Sequence, residues 1–450
     1  MFAEEWRNII LGSASYLDVS LVCTNGTPVA DMLVHSPHLP LVIDYRIKYH
    51  NGVTVEDEEG AILALKQYDR VRRVRFAMSI TRLQKLIVAM DDEHSILEHL
   101  IITNVDAEEE SSILIIPETL QAPHLRHLSL LGSALLIGSR LLTTAVDLVT
   151  LSLFIFHPSA YFHPNTLLRW LSFEPQLETL FIVFYFAVPN RDVERQLAHT
   201  PIMTAVALPN LRSFSFSGVG TYIEAVIHRI TAPRLEKLQV DVFNQPTFNV
   251  PQLLQFLLTT ENFRFKSAKF EFTDKKVGVA MYPNEEVEAY TLAINVDCWQ
   301  VSSAAQFSNL LSPTFSAVKH LTLEHGIHSQ SSEEHDEADP TEWRKLLMSF
   351  RNAKTLRIAK GLVKELSRCL ELDDGELSLE LLPELQELTY FGSGSTGDTF
   401  TSFIDARQDA GRSITLVRRS PSPDPNSSVT SIEPSLITPE RDEVRSDIDT

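Results

Sequence analysis

Leu125-Arg126-His127-Leu128-Ser129-Leu130 puts apolar residues at the first, fourth and sixth positions of a six-residue frame. Its second half alternates apolar and polar, the period of a strand with one buried face. The frame recurs on both sides. Clear copies begin at Leu97, Leu148, Leu177, Leu211, Leu235, Val318 and Leu385, and weaker ones at Val71, Phe265, Ala289, Ala353 and Gly411. These thirteen copies are separated by about 28 residues on average, the period of a leucine-rich repeat. A proline often stands just before the frame, as at Pro123, Pro209, Pro233 and Pro383, where it ends a helix and sets an extended entry.

Between the frames the apolar spacing changes to three and four. It predicts helices over Ile80–Met90, Thr166–Phe173, Tyr222–Ile230, Gln252–Leu258, Ala304–Leu311, Glu342–Phe350 and Leu362–Leu370. Thr341, after Pro340, is the expected N-cap of the sixth. Strand and helix alternating at this period give an α/β fold. The expectation is an irregular leucine-rich-repeat solenoid, with parallel strands on the concave face and helices on the convex face. Irregularity follows from steps of 23 to 35 residues, and from Asn104 alone holding the asparagine position of a regular repeat. The apolar run from Thr179 to Val188 reads as a strand buried on both faces, too short to span a bilayer.

The domain reading is residues 1–23 as an N-terminal cap, 24–417 as the solenoid and 418–450 as a disordered Ser/Pro-rich tail. Acidic loops are expected near 51–60 and 329–340. No basic, apolar leader opens the chain, and Cys23, Cys298 and Cys369 fit neither a disulfide framework nor a zinc spacing. The expected location is intracellular, cytoplasmic or nuclear or both. A net charge of −20 argues against nucleic-acid or membrane partners for the surface as a whole.

Stacked repeats build one continuous face rather than a deep cleft, which points to a binding protein and not an enzyme. No catalytic residue, metal or cofactor is assigned. The cluster of His325, His328, His335, Glu333, Glu334 and Asp336 reads as solvated charge. His124 and His127 read as edge or surface residues, and His157 and His163 as turn chemistry beside Pro158 and Pro164. Gly392, Gly394 and Gly397 match the spacing of a dinucleotide-binding loop and support a remote alternative, a nucleotide-dependent enzyme. Against it, too little chain follows for a doubly wound sheet, and Asp398 would stand beside the phosphates.

Charge on the frames is more informative. Their outward positions hold Arg72, Arg73, Arg75, Arg126, Arg212, Lys237, Lys266, Lys269, Lys319, Lys354, Arg357 and Arg412, against Glu98, Glu178, Glu236 and Glu387. A basic strip on an acidic chain suggests an acidic or phosphorylated protein target, with Arg126, Arg212 and Lys237 at its centre.

The start of the chain resembles a known family. Trp6-Arg7-Asn8-Ile9-Ile10-Leu11, followed by GSASYLDVSLVC to Cys23, is similar to the closing helix and exit of an F-box running into its first repeat. With HLPLVIDY at 38–45, APHLRHLSL at 122–130 and LPNLRSFSF at 208–216, the chain resembles the F-box/leucine-rich-repeat proteins of mushroom-forming fungi. The resemblance implies the substrate-receptor part of an F-box-type ubiquitin ligase adaptor. Its repeats would hold a protein target, and Trp6, Ile9, Ile10 and Leu11 would belong to an F-box remnant. The Leu-Pro opening of an F-box does not precede Trp6, so a Skp-type adaptor is an expected partner only with a full F-box upstream. The alternative is a stand-alone scaffold or decoy without ligase recruitment.

Overall fold

The computed structural model describes residues 20–36, 38–46, 53–107, 113–134, 137, 139–185, 204–243, 250–260, 262–273, 276–284, 289–297, 301–325, 339–370, 380–391 and 400–419. One mixed sheet of sixteen strands runs through them, with twelve α-helices between the strands. The first eight strands are β1 (Leu21–Thr24), β2 (Leu41–Arg46), β3 (Val71–Met78), β4 (His99–Asn104), β5 (His127–Leu131), β6 (Thr150–Ile155), β7 (Thr179–Phe184) and β8 (Ser213–Val219). The rest are β9 (Lys237–Phe243), β10 (Ser267–Phe272), β11 (Val277–Tyr282), β12 (Leu292–Val296), β13 (His320–His325), β14 (Thr355–Ile358), β15 (Glu387–Phe391) and β16 (Thr415–Arg419). Neighbours follow chain order from β1 to β9 and from β13 to β16. Between them the order reverses: β9 pairs with β12, β12 with β11, β11 with β10, and β10 with β13.

The frame explains the register. Leu100, Leu128, Leu151, Leu180, Phe214 and Leu238 are mutual partners across consecutive parallel strands, and each is at most 1% exposed. Two residues on, Ile102, Leu130, Leu153, Ile182, Phe216 and Val240 form a second buried row. Parallel pairing stacks like on like, so a period-two pattern fixed in one strand is transmitted to the next. The helices lay their apolar stripes on this face, as Ile80, Leu83, Leu86 and Ile87 do from helix Ile80–Val88. Burying one such leucine stabilises by about 2 kcal/mol, and cutting it to alanine costs about 3 kcal/mol. All seven helices expected from the spacing are present, with ends shifted by a few residues.

Several expectations need correction. The strands are not all parallel. The frames at Phe265 and Ala289 produce β10 and β12, but these are the outer strands of an antiparallel meander whose middle strand is β11. The cause is the connection: Thr273 N–H donates to Lys276 C=O (2.9 Å) and Lys276 N–H to Thr273 Oγ1 (3.0 Å), a tight hairpin. A parallel return needs a dozen or more residues.

The acidic segment 51–60 is not a loop from Val55 onward, because Val55–Leu65 is a helix. Thr54 and Asp57 form a reciprocal capping box, and Asp57 Oδ1 also accepts Gly26 N–H (2.6 Å). Burial alone would raise the Asp57 carboxyl, but the backbone donors of Gly26 and Thr54 hold it below its usual range. Glu58, 6% exposed, pairs with Arg82 (3.1 Å) and Lys85 (3.0 Å). The acids that looked solvated are cap and core ion pair.

Asp339, not Thr341, caps helix Pro340–Met348, accepting the Thr341 N–H at 2.9 Å. Cys23 lies in β1 and Arg418 and Arg419 in β16, the two end strands of the sheet. Trp6, Ile9, Ile10 and Leu11, Gly392, Gly394 and Gly397, Cys298, the acidic cluster from His328 to Asp336, and residues 420–450 lie outside the described residues.

Candidate functional site

The sheet face away from the helices, called here the open face, carries three side-chain rows in register. The first runs Arg73, His99, His127, Thr150, Thr179, Ser213, Lys237. The second runs Asp44, Arg75, Ile101, Ser129, Ser152, Phe181, Ser215, Gln239. The third contains Leu131, Phe154, Val183, Ser217 and Asp241. Phe154, Phe181 and Val183 form a small second core, with Leu131 and Phe156 packed against it. Phe156 stacks on Tyr185 at 4.1 Å. This is why β7 is buried on both faces, as its apolar run suggested.

The basic residues read from the frames fall into two places. Arg73, Arg75, Lys237, Lys269 and Arg357 stand on the open face within strands. Arg126, Arg212, Lys266, Lys319 and Lys354 sit one residue before a strand, and Arg72 is the extra residue at a register shift in β3. Together with their acidic counterparts these form a rim. Backbone N–H groups of Glu98, Arg126, Val149, Glu178, Arg212 and Glu236 each donate to the carbonyl of the previous rim residue, starting from Arg72, at 2.8–2.9 Å.

Along this first part of the rim the charge is mixed. Arg72 pairs with Glu98 and Arg212 with Glu236, each at 3.0 Å. Arg126 borders a polar recess with Glu98, His124, Asp147, Val149 and Gln176. Lys237 rests over the Tyr290 ring, 4.4 Å from its centroid, and burial lowers its ammonium below the usual range. Of the three residues at the expected centre, Arg212 has a carboxylate partner, Arg126 stands among acids and Lys237 has a ring partner.

The rim beyond the meander differs. Lys319 N–H donates to Lys266 C=O and Lys354 N–H to Lys319 C=O, both at 2.7 Å, so three lysines stand on adjacent strands. All three are exposed, and none forms an ion pair among the described residues. Directly behind them a pocket of about 510 Å³ opens on the open face. Its lining includes Ser267, Lys269, Tyr282, His320, Arg357 and Arg419, with Glu324 as its single carboxylate. Lys269 is held by Glu324 (2.8 Å) and Glu271 (3.9 Å), and His320 Nδ1 lies 2.9 Å from Thr355 Oγ1. Ser267 is 8% exposed and its hydroxyl lacks a hydrogen-bond partner. Ser267, Tyr282, His320 and Thr355 escaped the sequence reading, which weighed only charge at frame positions. Tyr282 had a usable signal in the alternation of Val277-Gly-Val-Ala-Met-Tyr282.

The remaining candidates have structural roles. His99 and His127 stack at 4.3 Å on the open face, and His127 Nδ1 lies 3.1 Å from Thr150 Oγ1. Burial, the other ring and the arginines around it push His99 down to about 4, so the pair is an uncharged gap between Arg73 and Arg126 near neutral pH. His163 caps helix Pro164–Leu171, its Nδ1 accepting the Asn165 N–H at 3.1 Å. Cys23 and Cys369 are buried thiols pushed by burial up to about 11 and about 12. Among the described residues no three His, Cys, Asp or Glu side chains converge to hold a metal, and no helix is long and apolar enough to cross a membrane. No family model matches the chain, and no curated protein matches it.

Proposed function

We propose that the chain is an irregular leucine-rich-repeat solenoid that recognises a protein partner on its open face. The observation that carries this reading is a sixteen-stranded sheet covered by helices on one side, with charged, hydroxyl and aromatic rows in register on the other. Side chains fixed at strand spacing give a large preorganised surface, which lowers the ordering cost of binding a folded partner. The alternation of strand and helix at about 28 residues supports the leucine-rich-repeat assignment. The role follows from the family resemblance: the substrate-receptor part of an F-box-type ubiquitin ligase adaptor. Recruitment of a Skp-type adaptor rests on Trp6, Ile9, Ile10 and Leu11 and on what precedes them.

The test compares partners captured by the native chain, by an Arg126→Glu/Arg212→Glu/Lys237→Glu variant, and by Arg169→Glu on the helix side. Loss of specific partners with the charge-reversed variant of the open face and its rim alone is the expected result. Identical capture by all three would refute recognition through this face. Co-purification of the Skp-type adaptor supports the receptor role, and its absence leaves a stand-alone scaffold.

A further inference from the structure

Charge is missing from the middle of the open face. Between Arg73 and Arg75 on β3 and Lys237 and Asp241 on β9, the three rows cross β4 to β8 without one Asp, Glu, Lys or Arg. Five strands in three rows make fifteen positions, and a chain with 22% charged residues would place about three charges among them. The two histidines of this field, His99 and His127, are uncharged near neutral pH, because burial and the arginines nearby hold both below their usual range. Apolar side chains gather in the same field. Phe154, Phe181 and Val183 pack together, and at their margin the stack of Phe156 on Tyr185 leaves Tyr185 42% exposed. Ser152, Ser215 and Ser217 are only 6–9% exposed, overtopped by their larger neighbours. Rings therefore stand above a floor of small hydroxyls.

We propose that this neutral field seats an amphipathic α-helix of the protein partner, lying across β4 to β8 with an uncharged apolar stripe on Phe154, Phe181 and Tyr185. The inference rests on the open-face reading above and names the chemistry of the partner. A charged segment fits poorly, because its charges would lose water and meet no counter-charge within the field. An extended segment also fits poorly. The backbone groups of β4 to β8 are already paired in the ladder, so a strand laid on this face would leave its own N–H and C=O groups unsatisfied. A helix carries its backbone hydrogen bonds with it and presents only side chains. The dimensions agree. Three rows span about 13 Å along the strands, close to the ~10–12 Å diameter of a helix. Five strands span about 19 Å, the length of about thirteen helical residues. The flanks set the direction. Arg73 and Arg75 make the β3 side basic, whereas Lys237 and Asp241 oppose each other on the β9 side. The negative C-terminal end of the helix dipole, with any acidic residues there, belongs over β3.

The experiment uses the full chain and fluorescent pools of helical peptides about eighteen residues long. Each peptide has a Leu/Phe stripe at helical spacing, random Ser, Thr, Asn, Gln and Ala elsewhere, and two C-terminal aspartates. One control pool scrambles the order and so breaks the stripe. A second keeps the stripe but sets Asp and Lys beside it. The striped neutral pool is expected to bind about ten-fold tighter than either control, with a negative heat-capacity change on binding. Raising salt from about 50 to about 500 mM should change that binding by less than about three-fold, since screening weakens charge-based contacts and spares apolar ones. Ser129→Asp, which sets a charge inside the field, should weaken binding about ten-fold. Tyr185→Ser, at an exposed position beyond the end of β7, should weaken it several-fold and keeps the test decisive should the first variant fold poorly. Phe173→Ser, on an exposed apolar residue outside the field, should leave binding unchanged. Equal binding of striped and scrambled pools overturns the proposal, as does binding insensitive to Ser129→Asp and Tyr185→Ser. An equal loss with Phe173→Ser also overturns it, leaving general apolar adhesion, and a ten-fold loss in high salt leaves a charge-read contact instead. If no pool binds while reversal at Arg126, Arg212 and Lys237 still abolishes partner capture, protein recognition stands and the neutral helix site falls. If both fail, both readings fall.

Discussion

Glu174 occupies a position that the fold reserves for apolar side chains. One turn before many strands, a carbonyl accepts the N–H of the residue three further on. His94, Ala122, Glu174, Leu208, Ala232, Phe315, Phe350 and Leu382 are such acceptors, at 3.0–3.3 Å, and all are buried. Six of the eight are apolar. Glu174 is 2% exposed and its Oε2 has no hydrogen-bond partner. Burial pushes its carboxyl from 4.5 up to about 7. The folded chain therefore keeps a proton that the unfolded chain releases near pH 4.5. This group's contribution to stability is full below that value and is lost as pH rises towards the folded value, where the loss levels off. A shift from 4.5 to about 7 corresponds to about 3 kcal/mol in all, of which about 2 kcal/mol falls between about pH 5.5 and about pH 8. Glu174→Gln removes the titration and Glu174→Leu also restores the local pattern. Urea unfolding at both pH values should show each variant more stable than the native chain at the higher pH. The native chain should lose about 2 kcal/mol more than either variant between the two. Parallel pH profiles for native chain and Glu174→Gln would refute the reasoning.

Three further substitutions test the backbone. Gly132 and Gly26 both have positive φ (71° and 79°), but an added Cβ at Gly132 would stand 2.5 Å from Ala107 Cβ, whereas Gly26 faces open space. Thermal unfolding should show Gly132→Ala losing about 3 kcal/mol and Gly26→Ala about 1 kcal/mol, and equal losses would sink the steric argument. Arg407, fully buried, donates to the carbonyls of Leu381, Leu382, Pro383 and Leu385 at 3.0–3.4 Å and so holds the turn in which Leu382 adopts φ 49°. Arg407→Met should cost about 3 kcal/mol in chemical denaturation, and a loss below about 0.5 kcal/mol would show that the turn holds itself.

The frame starting at Leu125 made most of the strands legible, because parallel stacking converts one local pattern into register for its neighbours. The residues that sequence could not place break the link between local pattern and context. Glu56, Asp57 and Glu58 look like a solvated acidic run, yet the capping box and the Arg82 and Lys85 partners, well over twenty residues away, turn them into a helix start. The meander was hidden because β10 and β12 carry the same frame as the parallel strands. Only the Thr273–Lys276 turn reveals the reversal. The charged strip was legible as a list of residues but not as a site. Its division into a mixed-sign rim around Arg126 and Arg212 and an all-lysine rim beside the pocket depends on which strands become neighbours.

That reversal also sets a timetable for synthesis. Up to β9 each strand finds its partner on the preceding one, with spacings such as 23 residues between His127 and Thr150 and 24 between Arg212 and Glu236. The emerging chain can lengthen the sheet one strand at a time. At β9 the sequence of events changes, because its next neighbour is β12, and Asp241 meets Asn295 across 54 residues. While β10 and β11 leave the ribosome, the edge of β9 stays uncovered. The later block opens with a local antiparallel pair, the β10–β11 hairpin. Translation thus meets one waiting point, between about residues 243 and 296, where an unpaired parallel edge is open to another nascent chain.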